Sequence, residues 1–137
     1  MPMQVTCGTH RAYITIREAL RQMSDRLSLS PCRRCGGPLK ITGTHRYANL
    51  GAGEFPFSVI AAVADGPDGD RFEFYLAALR FDHGATHIQP MFWAPGQKGK
   101  MRYGQFSPLH LLETWERMFR EMRVRLEGGR EPRGGVQ

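Results

Sequence analysis

Apolar positions along the chain change period in a way that lays out its elements. Ile16, Ala19, Leu20, Met23 and Leu27 recur at helical spacing and predict an amphipathic helix from about Ile16 to Leu29. Thr15 and Glu18 have capping-box spacing at its start, and Pro31 is expected to stop it. Just before it, residues 12–16 (AYITI) are β-prone and predict a strand leaving a turn at Cys7–His10. Gly36-Gly37-Pro38 reads as a turn, and LKITG–THRYANL after it as a short hairpin. Three stronger strands follow over Phe55–Ala64, Arg71–Asp82 and Thr86–Trp93, with Pro90 pushing the last toward a sheet edge. The acidic connection 65–70 and the short Asp82–Ala85 connection predict an antiparallel meander. Residues 94–106 read as a glycine-rich basic loop. Ser107 and Pro108 then have the cap and first-position chemistry of a second helix. Its apolar stripe is Leu111, Leu112, Trp115, Met118, Phe119, Met122 and Leu126. Glu113–Arg117, Glu116–Arg120 and Glu121–Arg125 have ion-pair spacing on the other side.

With 137 residues, 41% of them apolar, the chain has the material for one ordinary core. No apolar run approaches the ~18–20 residues that cross a bilayer. The start MPMQVTCGTH lacks a secretory pattern, so a cytoplasmic protein without a membrane partner is expected. The net charge of +6 is unevenly placed. Residues 1–50 carry eight Lys/Arg against two acids, residues 51–82 are net −4, and residues 83–104 are net +3. Basic charge concentrated in this way favours polyanions such as nucleic acid, or an acidic protein face.

Three cysteines cannot pair off within one chain. Cys7-x2-His10 and Cys32-x2-Cys35 each offer two ligands at the spacing of a tight metal-binding turn, and zinc takes thiolate and imidazole in a closed tetrahedron. His45 is a rival to His10 as the fourth ligand. PCRRCGGPLKI resembles a zinc-ribbon or zinc-knuckle half-site, and TCGTHRAYI is similar with histidine for the second cysteine. The resemblance covers about 20 residues and identifies a type of module. The 21 residues between the half-sites, filled by a helix, depart from the ribbon's intervening hairpin. With four protein ligands the zinc would be structural, leaving no position for a catalytic water.

Other constellations are weaker. His83-x3-His87 lacks the helix and intervening glutamate of a zincin pair and reads as turn and strand residues. Gly96–Lys100 does not match a Walker loop, although Lys98, Lys100, Arg102 and Tyr103 can contact phosphates and bases. Arg17, Arg21, Arg33 and Arg34 surround the metal module and form a second candidate binding surface. The expected fold is α+β: a basic zinc-binding module (1–50), then a mainly antiparallel sheet with a C-terminal amphipathic helix packed on it (51–127), compact with the module, and a flexible tail (128–137). The expected function is that of a small binding protein contacting DNA, RNA or a nucleic-acid-handling complex. The alternative is a protein–protein regulator or inhibitor from a mobile element, using the acidic 65–73 segment. An enzyme built on His83 and His87 ranks last.

Overall fold

The computed structural model describes residues 3–45, 53–65, 73–93, 101–103 and 112–128. Its frame is a six-stranded sheet whose strands lie side by side in chain order, each antiparallel to the next. They are β1 (Met3–Thr6), β2 (Lys40–His45), β3 (Phe55–Asp65), β4 (Glu73–Phe81), β5 (Thr86–Trp93) and β6 (Met101–Tyr103). Helix α1 (Ile16–Arg26) lies between β1 and β2 in sequence, and α2 (Leu112–Gly128) follows β6. The α+β class and the meander are therefore present, and β1 and β2 of the N-terminal third belong to the same sheet as the rest. Among the described residues no helix is long and apolar enough to cross a membrane.

The two helices cover opposite faces. On β4, Tyr75, Ala77, Leu79 and Phe81 join the core under α1, with Leu20 and Met23 of the helix. Phe74, Leu76 and Ala78 point the other way and pack with Trp115, Met118 and Met122 of α2. A strand buried on both faces has no reason to alternate, hence the continuous apolar run of β4. On β3 a bulge between Val59 and Ala61 resets the alternation. It places both Val59 and Ala62 under α1 and turns Val63 toward α2.

Several sequence expectations are corrected here. α1 stops at Arg26, well before Pro31, because Leu27 adopts a left-handed conformation (φ 65°) and its N–H closes the last turn on the Met23 carbonyl at 2.9 Å. Leu27 is consequently exposed and leaves the apolar stripe. Half of the capping box forms: Thr15 Oγ1 accepts from Glu18 N at 3.0 Å, while the Glu18 carboxylate turns to Gln22. Residues 12–16 form no strand, since the strand lies before the Cys7 turn and residue 11 makes only an isolated bridge to Thr6. Where a hairpin was expected after Pro38, Lys40–His45 form one strand, β2, that pairs on both sides, and residues 46–50 of that expectation lie outside the described residues. The sheet continues beyond the strand that carries Pro90, because β6 pairs with its Met91–Trp93. Ser107, Pro108 and Leu111 lie outside the described residues. On α2, Arg117 pairs with Asp65 of β3 and not with Glu113, whereas the Glu121–Arg125 pair forms at 3.0 Å.

Pairing of β3 with β2 ends at Ser58, which leaves its far half open on that side. Side chains from both helices close it. Ser24 Oγ accepts from Ala64 N at 2.9 Å, and Arg125 donates to the carbonyls of Ala62 at 2.6 Å and Ser24 at 2.8 Å. This satisfies edge groups that would otherwise be left bare beneath the helices. Ser24→Ala strips the partner from the partly buried Ala64 N–H, and a loss of about 1 kcal/mol is expected. In urea titration the midpoint should fall with the slope unchanged, and an unmoved midpoint would show that water replaces the hydroxyl.

Candidate metal centre

Thr6 at the end of β1 stands opposite Lys40 at the start of β2. The turn that leaves β1 and the turn that enters β2 are therefore held at the same end of one sheet edge. α1 spans the sequence between them while packing on the sheet, which explains how distant half-sites meet without the ribbon's hairpin.

The first turn is tied by Cys7 N to the His10 carbonyl at 3.2 Å, and by Thr6 Oγ1, which donates to the same carbonyl at 2.8 Å and accepts from Gly8 N at 2.9 Å. The second is tied by Gly36 N to the Cys32 carbonyl at 2.8 Å and Cys32 N to the Gly37 carbonyl at 2.9 Å. Gly36 has φ +73°, a conformation that side chains resist. A methyl group at Gly37 would come within 3.3 Å of Cys35 Sγ. Backbone amides point at the sulfurs, with His10 N 3.2 Å from Cys7 Sγ and Gly37 N 3.4 Å from Cys35 Sγ.

These turns bring the donor atoms of Cys7, His10, Cys32 and Cys35 within 4.8 Å of one another, close enough to hold one metal ion. His10 Nδ1 is 3.5 Å from Cys7 Sγ and 3.7 Å from Cys32 Sγ, and the Cys7 and Cys35 sulfurs are 3.6 Å apart. A tetrahedron with ordinary zinc bond lengths has edges of about 3.8 Å between sulfurs and about 3.6 Å between sulfur and nitrogen. Three of the six separations are close to those edges. His45 lies outside it, opposite Phe55 on the β2–β3 ladder, so His10 completes the set.

The backbone N–H groups of Thr9 and His10 pull the Cys7 thiol down to about 6, so it is largely thiolate at neutral pH. At Cys35 the Gly37 N–H also lowers the value, but the Cys7 and Cys32 thiols and burial outweigh it and the net direction is up. A metal bound there at neutral pH would displace a proton from Cys35. Cys32 is buried, Cys7 partly so, and Cys35 is exposed.

The arginines around this centre divide into two groups. Arg33 and Arg34 project outward from the second turn, and Lys40 is also exposed. Arg17 and Arg21 instead reach across the sheet. Arg17 pairs with the buried carboxylate of Glu73, with Nε 2.7 Å from Oε1, and lies over the Trp93 ring. Arg21 donates to Tyr75 Oη at 3.0 Å, and that hydroxyl donates to Glu73 Oε1 at 2.9 Å. The guanidinium beside it holds Glu73 below the ordinary carboxylate value. Their charge is thus partly spent inside the molecule. Glu73 gave no signal in the sequence, because an isolated acid in an apolar strand has no recognisable spacing.

Of the later basic segment, Lys98 and Lys100 lie outside the described residues. Arg102 and Tyr103 belong to strand β6, paired opposite Phe92 and Met91, where a loop was expected. β6 and the metal turns hang from opposite edges of the sheet, five strand spacings or about 24 Å apart. Among the described residues, Arg102 and the arginines of the second metal turn therefore belong to opposite edges of the sheet. His83 and His87 pack on Phe81, one ring stacked at 5.6 Å and the other edge-on at 5.1 Å. Asp65 and Glu73, the described ends of the acidic segment, are paired with Arg117 and Arg17. Comparison with protein-family models, curated proteins and solved structures finds no match.

Proposed function

We propose that Cys7, His10, Cys32 and Cys35 hold a structural Zn²⁺, and that the chain is a zinc-stabilised binding module for nucleic acid or a nucleic-acid-handling complex. The observation that carries the metal assignment is the convergence of three sulfurs and one imidazole within 4.8 Å, with three of their separations near tetrahedral edges for zinc. Three soft sulfurs and one imidazole also suit zinc better than magnesium, calcium or manganese. All four ligands come from the protein, so the ion organises the fold and performs no chemistry.

Three thiolates around Zn²⁺ leave the centre with one net negative charge. Arg33 and Arg34, carried by the second metal turn itself, more than offset it at the surface. Support for a polyanion partner comes from this outward pair and from the basic excess of the N-terminal third. The pairing of Asp65 with Arg117 and of the buried Glu73 with Arg17 weakens the alternative in which these two acids recruit a basic protein.

The test is zinc stoichiometry by native mass spectrometry, followed by nucleic-acid affinity across salt concentration. One zinc per chain and a linear fall of log affinity with log salt are expected. Neutralising Arg33 and Arg34 should flatten that slope by roughly 1–2. A zinc-loaded chain that ignores nucleic acid at low salt but retains a protein partner on purification would favour the regulator reading.

A further inference from the structure

Beside the metal centre lies a cavity of ≈ 240 Å³, enclosed between the segment leaving the first metal turn, the second turn and α1. We propose that it is a subsite for one unpaired nucleotide of a single-stranded nucleic acid, with the base stacked on Tyr13 and the backbone phosphates held by Arg33 and Arg34. This rests on the nucleic-acid reading above and narrows it to unpaired strands.

Three observations point there. First, Ala12 and Ile14 pack inward against the core, and the residue between them is thrown outward, leaving Tyr13 90% exposed at the cavity. An aromatic ring exposed at the rim of a basic groove can stack on any base. Second, the described lining carries Arg11, Arg33 and Arg34 and no carboxylate. Arg11 is steadied by Gln4 at 3.1 Å, while Arg33 and Arg34 make no hydrogen bond or ion pair with the described residues. Third, the cavity falls below the ~300–1,000 Å³ typical of sites for drug-sized ligands. It suits a single planar group entering from an extended strand. A duplex keeps its bases stacked inside and cannot offer one without unpairing it. The Cys32 ligand lies in the wall, so the metal sets the position of both arginines.

The test uses the full zinc-loaded chain and labelled oligo-dT of about ten nucleotides, with a duplex of equal length, near 50 mM salt. Single strand should bind more tightly than duplex. Tyr13→Ala should weaken the single-strand complex roughly tenfold and Tyr13→Phe should restore most of it. Tyr13 is almost free of packing, so both variants should keep their zinc and their melting temperature. If Tyr13→Ala binds like the parent while loss of Arg33 and Arg34 weakens binding, the subsite is overturned and the nucleic-acid reading survives. A preference for duplex overturns the subsite in the same way. If poly-glutamate binds as well as oligo-dT and ignores Tyr13→Ala, the groove reads charge alone. If zinc-loaded protein binds neither oligonucleotide, both readings fall together.

Discussion

Chelation of the metal, or Cys32→Ser, is expected to unfold much more than the two turns that hold it. A structural zinc of this kind supplies about 10–16 kcal/mol of apparent folding free energy at neutral pH. A whole domain has a net stability of only about 5–15 kcal/mol, so little remains once the metal is gone. The geometry says where the loss begins. β1 is four residues long and sits at the sheet edge, held by β2 on one side and by the first metal turn at its end. Releasing that turn frees β1, which contributes Val5, and loosens α1, which contributes Ala19, Leu20 and Met23 to the core. Cys32 is the ligand to change, because it is buried and its N–H and C=O both tie the second turn. Hydrogen exchange should show the protection of β1, α1 and β2 collapsing together, with loss of bound zinc. A metal-free chain with an unchanged melting temperature would remove zinc from the account of this fold.

The Cys/His cluster was legible in the sequence for a simple reason. Two x2-spaced pairs depend only on local turn geometry, which a sequence displays directly. The choice between His10 and His45 was open, since it depends on which strand end meets which turn, and the β1–β2 register decides it. The central strands were legible through their apolar runs. β1 and β6 were missed because four and three residues carry no periodic signal. Helix α1 was placed correctly at its start, where Thr15 acts locally, and overrun at its end, where one left-handed leucine breaks it without glycine or proline. The arginines of the N-terminal third could not be sorted from sequence. Arg17 and Arg33 look alike in a linear reading, and only the sheet shows that Glu73 waits beneath the first.

That difference makes Arg17→Met the second large effect. The substitution keeps an aliphatic stem over Trp93 but leaves the Glu73 carboxylate, 8% exposed as a residue, without its cation. Removing one partner of a fully buried pair costs about 3–5 kcal/mol, and the 42% exposure of the Arg17 side chain reduces the expected loss to about 2–3 kcal/mol. The loss should depend on pH in a definite direction. Arg17 holds the folded-state value of Glu73 below the ordinary 4.5, so the pair's contribution is fully present above about 4.5 and disappears as pH falls through the folded value. Parent and variant should therefore differ most near neutrality and converge in acid. The double variant Arg17→Met with Glu73→Gln should recover part of the neutral-pH loss, because an uncharged amide in that place no longer needs a cation and can still accept from the Tyr75 hydroxyl. Stability measured by urea titration from about pH 3 to pH 7, for parent, single and double variants, gives the coupling directly. Equal losses at every pH would mean that Arg17 acts through its packing on Trp93 and not through its charge.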